Sequence, residues 1–122
     1  MNSPKKTMII GASTHSNRYS YLAANRLVAN GHPIVAIGHT AGKVAGVDIL
    51  TERPTVQDIH TVTLYINALR QPEYYDYILS LHPERVIFNP GAENETLAEL
   101  LESKGIKAME ACTLVMLSTG QY

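Results

Sequence analysis

The sequence of 122 residues has no tryptophan, one phenylalanine and one cysteine, Cys112. A single cysteine excludes a disulfide within the chain. No stretch approaches the roughly 18 to 20 consecutive apolar residues of a membrane-spanning helix. The lysines near the start are not followed by the apolar core of a secretory signal. We therefore expect a soluble protein of a reducing compartment, the cytoplasm, with no membrane partner.

The sequence also lacks an excess of either charge. It has 10 Lys and Arg against 11 Asp and Glu, a net charge of −1 with neutral histidines. This balance gives no basic surface for nucleic acid, so we expect no nucleic-acid partner. A hydrophobic fraction of 45% and a charged fraction of 17% are ordinary for a globular protein of this size. We expect one domain over residues 1–122.

Short apolar runs alternate along the chain with segments of helical periodicity. Helices are predicted at about 19–30, 72–81 and 95–104, with a short one around 114–117, and segment 47–50 is compatible with an edge strand. Buried strands are predicted at 8–10, 34–37, 62–66, 85–88 and 107–109. This alternation predicts an α/β fold with a doubly wound, mostly parallel sheet of about five strands and helices on both faces.

The segment between the first predicted strand and the first helix, residues 11–20, reads GASTHSNRYS. In a doubly wound sheet this connection binds phosphates. Gly11 permits a tight turn, and the small Ala12 and Ser13 let backbone N–H groups approach an anion. Arg18 adds a planar cation that suits phosphate. Hydroxyl donors belong to Ser13, Thr14 and Ser20. The pattern is neither GxGxxG nor a Walker A loop, and a turn capped by hydroxyls without a ligand is the alternative.

The end of the second predicted strand bears on the kind of ligand. A site for NAD uses a carboxylate here to hold the ribose hydroxyls. Residues 38–43 read GHTAGK, which contains no acid. We therefore predict that Gly38, His39 and Lys43 meet a ligand with a phosphate on its ribose, such as coenzyme A or NADP. An ordinary solvated loop is the alternative.

Two further loops follow predicted strands and are expected to reach the same edge of the sheet. They contribute Tyr65 from segment 65–67, and Asn89 and Gly91 from segment 89–94, with ordinary turn chemistry as the alternative. The histidines lack metal-ligand spacing, so neither a metal site nor a catalytic residue is predicted. Cys112 is expected to be a small buried side chain, and a thiol facing the cofactor is the alternative.

The motifs at both ends of the chain resemble those of a known family. MIIGAS at 8–13 and RYSY at 18–21 resemble the opening of small stand-alone CoA-binding proteins, which are similar to the CoA-binding domain of the succinate–CoA ligase α subunit. FNPG at 88–91 and EACTL at 110–114 resemble a short subgroup, and the resemblance covers about 6–122. It implies a Rossmann-like sheet with the CoA phosphates on the 11–13 turn, Arg18 and Ser20. Longer members have Phe-Arg after the third strand, where this chain has Tyr65-Ile66.

These observations predict a module that binds coenzyme A or an acyl-CoA as a non-catalytic carrier or sensor. The resemblance does not extend to the ligase's phosphohistidine domain, so ligase activity is not expected. Two alternatives remain open. One is an NADP- or NAD-binding redox or sensor domain, and the other is the cofactor-binding subunit of a larger acyl-CoA enzyme. The sequence identifies neither the acyl group nor a protein partner.

Overall fold

The computed structural model describes residues 3–122, in which strands and helices alternate as predicted. The helices are α1 (Tyr19–Ala29), α2 (Tyr75–Leu81), α3 (Glu95–Ser103) and α4 (Thr113–Ser118). Two 3-10 turns, Ala68–Arg70 and Pro72–Tyr74, precede α2. The strands are β1 (Thr7–Ile10), β2 (Ile34–Ile37), β3 (Gly42–Val44), β4 (Val47–Leu50), β5 (Thr61–Leu64), β6 (Arg85–Phe88) and β7 (Lys107–Glu110).

The strands form one sheet in the order β3-β4-β2-β1-β5-β6-β7. All neighbouring strands are parallel except β3 and β4. From β1 the chain builds one side of the sheet, and then crosses to the other side of β1 to begin β5. The boundary between β1 and β5 is therefore the topological switch point, where connections leave in opposite directions and open a crevice. The doubly wound, mostly parallel α/β fold is confirmed.

The prediction of about five strands is wrong, because the hairpin of β3 and β4 adds two. Its turn is formed by Ala45 (φ 53°) and Gly46 (φ 78°), and positive φ at both central residues is the geometry of a tight hairpin turn. β4 is not the edge strand, since β3 pairs with it on the outer side. Segment 38–43 is also not wholly a loop, because Gly42 begins β3. Three residues starting with glycine are too few for a periodic strand signal.

Helices cover both faces of the sheet, which follows from the alternation of side chains along its strands. In β1, Met8 and Ile10 point to one face and Ile9 to the other. The face of Met8 packs against α2 and α3 through Ile78, Leu97 and Leu101. The face of Ile9 packs against α1 and α4 through Ala24, Leu27 and Met116. Among residues 3–122, none of the helices has the length and apolar character needed to cross a bilayer.

Candidate functional site

A cavity of about 550 Å³ opens at the carboxyl edge of the sheet, at the switch point. This volume lies within the usual range of small-molecule and cofactor sites. The β1–α1 connection forms one wall, and the segments after β2, β5 and β6 form the others. The cavity brings together six predicted residues of the β1–α1 connection and first helical turn: Gly11, Ala12, Ser13, Thr14, Arg18 and Ser20. From other loops it brings in His39, Tyr65 and Gly91.

Gly11 makes the turn out of β1 with a φ of +100°, a conformation that side chains rarely adopt. The N–H groups of Gly11 and Ala12 both donate to the carbonyl oxygen of Ile37 at 2.9 Å. This pair of hydrogen bonds ties the turn to the end of β2. Both N–H groups are therefore already used, and those left for a ligand begin at Ser13.

The first turn of α1 presents backbone donors to the cavity. Arg18 is the N-cap residue, with extended backbone and no side-chain cap hydrogen bond. Within residues 3–122, the N–H groups of Tyr19 and Ser20 have no backbone acceptor, and both residues line the cavity. The Ser13 hydroxyl accepts from the His15 N–H at 3.0 Å and so stabilises the turn. Unpaired N–H groups and the helix dipole together favour an anion at this point.

The wall of the cavity carries positive charge without any carboxylate. Arg18 and Arg70 both line it, whereas Asp and Glu are absent from the lining residues. In the part of the chain that the structure describes, neither arginine belongs to an ion pair. A concave surface with charges of one sign concentrates counter-ions. The cavity therefore favours an anionic ligand, although the chain as a whole is close to neutral.

Two residues predicted beside His39 lie outside this cavity. Gly38 lines a neighbouring cavity of about 410 Å³, which shares His39 with the first. A Cβ on Gly38 would lie 2.5 Å from the carbonyl oxygen of Ala12, so glycine lets the end of β2 pass close to the turn. Lys43 lies on the edge strand β3, where its Nζ is 3.1 Å from Asp48 Oδ1 and both side chains are exposed. Such a surface ion pair contributes little to stability, and either side chain can readily leave it for another partner.

Asn89 lies beneath the cavity and is not part of its wall. It is 2% exposed, and its Nδ2 donates to Thr63 Oγ1 at 2.7 Å and to the carbonyl oxygen of Leu64 at 2.9 Å. Its Oδ1 accepts from the backbone N–H of Thr113 at 2.9 Å. One side chain thus joins β5, the end of β6 and the start of α4.

Tyr65 contributes to the wall, but its hydroxyl group is hidden. Within the described residues, the buried phenolic oxygen has no hydrogen-bond partner. Burial raises the pKa of the Tyr65 phenol well above its ordinary value, so the group stays neutral. Cys112 is half-buried just before α4 and is not among the lining residues. The structure therefore does not bring the Cys112 thiol into the cavity.

Sequence reasoning missed Arg70 and its neighbour Gln71. Arg70 lines the cavity from the 3-10 turn that follows β5, and its position shortly after a predicted strand was the available signal. Gln71 is fully buried, and its Nε2 donates to the carbonyl oxygens of Ile66 at 2.9 Å and Ala92 at 2.7 Å. Its Oε1 accepts from Asn94 Nδ2 at 2.9 Å. No sequence pattern marks this role, because glutamine is mostly an exposed residue.

The sheet order defines a Rossmann-like α/β fold, and a cavity opens at its switch point. The family model described as a CoA binding domain matches residues 5–118. The chain belongs to this CoA-binding domain family. Among curated proteins there is no match.

Solved structures share the fold. One, described as an uncharacterized protein, is 53% identical with a TM-score of 0.97, and the alignment covers 99% of this chain and 100% of that one. A protein from Thermus thermophilus is 13% identical with a TM-score of 0.86, over 98% of this chain and 91% of that one. A hypothetical protein from Pyrococcus horikoshii OT3 is 17% identical with a TM-score of 0.86, over 95% and 83%. At these low identities the last two show similarity of fold alone.

Proposed function

We propose that residues 1–122 act as one domain that binds coenzyme A or an acyl-CoA, as a non-catalytic carrier or sensor, with the phosphates at the β1–α1 turn. The observation that carries the proposal is a cavity at the switch point that contains two arginines and no carboxylate. Membership of the CoA-binding domain family indicates which anionic ligand this cavity takes.

The diphosphate of CoA is assigned to the wall formed by the β1–α1 connection. The backbone N–H groups of Ser13, Tyr19 and Ser20 have no acceptor in the described chain and provide hydrogen-bond donors. The Thr14 and Ser20 hydroxyls add to them, and Arg18 provides charge-assisted hydrogen bonds. Ala12 and Gly11 support this wall through their bonds to Ile37.

The ribose 3′-phosphate is assigned to the side of the cavity that faces β2. His39 lies in the wall there. Lys43 lies outside the wall on the edge strand β3, whose first residue, Gly42, is so close to Thr14 of the wall that an added Cβ would lie 2.5 Å from Thr14 Cγ2. The exposed pair between Lys43 and Asp48 is weak enough to be replaced by a pair with phosphate. The absence of an acid in segment 38–43 disfavours NAD, whose ribose needs a carboxylate.

The pantetheine arm is assigned to the apolar side of the cavity, between the loops after β5 and β6. Tyr65, Ile66, Gly91 and Ala92 form this side, and Asn89 fixes both strands from below. Since burial holds the Tyr65 phenol neutral through a raised pKa, this residue has no acid–base role in the proposal.

Mass spectrometry of small molecules released from the freshly purified protein tests the proposal, together with calorimetry using CoA, dephospho-CoA, NADP and NAD. We expect CoA to bind more tightly than NAD. Tighter binding of NAD or NADP would favour the redox or sensor alternative and contradict the proposal. Loss of the difference between CoA and dephospho-CoA in the His39→Ala and Lys43→Ala variants would support their contact with the 3′-phosphate. Co-purification of an enzyme subunit from native extract would instead indicate that the chain is the cofactor-binding subunit of a larger acyl-CoA enzyme.

A further inference from the structure

We infer that Arg70 is a second phosphate-binding residue, so that the cavity is specific for a diphosphate, with one guanidinium group for each phosphate. This inference rests on the proposed function for the identity of the natural ligand. It adds a residue from a different loop and a reason why a monophosphate is a poor ligand.

The topology brings Arg70 and Arg18 to the same cavity. β1 and β5 are parallel neighbours in register, with Ile10 opposite Leu64 at their carboxyl ends. Adjacent strands lie about 5 Å apart, so the connections that follow them leave the sheet side by side. Arg18 lies at the end of one connection and Arg70 in the other, and both line the cavity.

Hydrogen bonds hold the backbone of Arg70 in place. Its N–H group donates to the carbonyl oxygen of Asn67 at 3.0 Å, and the Asn67 side-chain oxygen lies 3.3 Å from the same nitrogen. The next residue, Gln71, is fully buried and bonded to Ile66 and Ala92. Leu69, the residue before Arg70, is 90% exposed and adds no packing to the turn. The turn therefore presents Arg70 from a fixed support, which reduces the entropy lost on binding.

The electrostatics of the cavity favour an anion within it. Two cations that share a concave surface repel each other, and no carboxylate of the cavity wall separates them. Within the described residues neither has an ion-pair partner. A diphosphate supplies two adjacent anionic groups, and each guanidinium can bind one of them through paired hydrogen bonds. A monophosphate can satisfy only one arginine in this way.

Calorimetry with CoA, ADP and AMP tests the inference on the wild type and on Arg70→Ala. Arg26→Ala is the matched control, because Arg26 is an exposed arginine of α1 that does not line the cavity. We expect Arg70→Ala to lower the affinity for CoA and for ADP about ten- to a hundredfold, since charge-assisted contacts are worth about 1.5 to 3 kcal/mol. AMP affinity should change far less, and Arg70→Lys should restore only part of the diphosphate affinity.

The inference would be overturned if Arg70→Ala bound CoA and ADP as tightly as the wild type does. An equal loss of affinity for AMP would also overturn it. Failure of CoA to bind, with ADP still bound in an Arg70-dependent manner, would contradict the proposed function and leave the diphosphate site standing. Failure of both CoA and ADP to bind the wild type would overturn both. Unfolding curves of each variant test whether a loss of affinity reflects a loss of the fold. We expect Arg70→Ala to stay folded, because Arg70 is exposed.

Discussion

Gln71 and Ala92 are joined by a hydrogen bond of 2.7 Å, from the side-chain Nε2 to the backbone carbonyl oxygen. The same nitrogen donates to the carbonyl oxygen of Ile66 at 2.9 Å. Ile66 and Ala92 lie in the two loops that form one side of the cavity. One buried amide therefore joins the two loops beyond the point where the pairing of β5 and β6 ends.

Gln71→Met should lower the free energy of unfolding by about 2 to 4 kcal/mol, because each buried polar group left without a partner costs about 1 to 3 kcal/mol. The substitution keeps the length of the side chain and removes the hydrogen bonds to Ile66 and Ala92. Ligand affinity of the folded protein should also fall, because the loops lose their common anchor. Urea unfolding and calorimetry measure the two effects, and Gln57→Met, at an exposed glutamine, is the control. Equal stability of the two variants would contradict this account of Gln71.

Arg18→Ala should weaken CoA binding about ten- to a hundredfold while the fold stays intact. The Arg18 side chain is exposed, caps no helix N–H group and has no ion pair within the described chain. Its removal therefore costs the fold little, and the lost contact is with the ligand. Calorimetry of this variant beside Arg26→Ala measures the effect. Unchanged affinity with an unchanged melting temperature would show that Arg18 does not meet the phosphates.

Gly11 makes the tight turn that the sequence predicted, and a close contact with the chain after β5 adds a second reason for glycine at this position. A Cβ at Gly11 would lie 3.0 Å from the carbonyl carbon and the carbonyl oxygen of Tyr65. Together with the φ of +100°, this contact makes glycine a requirement for packing the turn against the end of β5.

Gly11→Ala should therefore destabilise the protein by about 2 to 5 kcal/mol, the combined cost of backbone strain and overpacking. Gly11→Val should destabilise it further, because a branched side chain tolerates positive φ poorly. Gly31→Ala is the control, since Gly31 has a φ of +83° and a Cβ added there would have no atom within 4 Å in the described chain. The difference between the two alanine variants in urea unfolding measures the contact with Tyr65. The absence of any difference would leave backbone strain as the whole effect.

A cluster at the amino edge of the sheet contains two histidines, His32 and His60, whose pKa values are lowered. His32 is 5% exposed, and its Nδ1 accepts from the backbone N–H of Lys5 at 2.9 Å, which requires an unprotonated nitrogen. Burial lowers the pKa of His32 below its ordinary value of 6.5, and the charges of Lys5, Arg85 and His60 lower it further. Burial also lowers the pKa of His60, although Glu84, 2.9 Å from its Nε2, acts in the opposite direction.

The free energy of unfolding should fall as the pH decreases below about 6.5, because the unfolded chain then binds protons that the folded protein does not. Above that pH these histidines are neutral in both states and contribute no slope. Chemical unfolding between about pH 5 and 8 measures the profile. His32→Gln should flatten it, whereas His82→Asn, at an exposed histidine, should not. A wild-type profile that is level below pH 6.5 would contradict this interpretation.

The sequence was sufficient to predict the parallel core of the fold. Buried parallel strands appear as short continuous apolar runs, and β1, β2 and β6 are such runs ended by glycine or a turn. The hairpin was harder to predict, since Ala45-Gly46 is a weaker turn signal than Asn-Gly. β3 has only three residues, and it becomes a strand through its pairing with β4.

The candidate site was predictable where it depends on the order of elements. The carboxyl ends of parallel strands meet at one edge, which placed the residues after β1 and β5 together. The direction of polar side chains was not predictable. Asn89 and Gln71 have the same amide chemistry as exposed residues, and only the tertiary structure shows that they are buried and bonded to backbone. Arg70 enters the cavity through a 3-10 turn, which has no clear sequence signature.

The short edge strand β3 affects how readily other molecules can add to the sheet. An unpaired sheet margin is a template on which strands of other molecules can add, and short, charged margins resist this. β3 offers three residues, and its central one, Lys43, is exposed beside Asp48. At the opposite margin, β7 begins with the exposed Lys107 and ends with the exposed Glu110. The exposed charges of Lys43 and Asp48, which contribute little to folding, thus give this margin of the sheet a polar character that disfavours the addition of a strand from a neighbouring molecule.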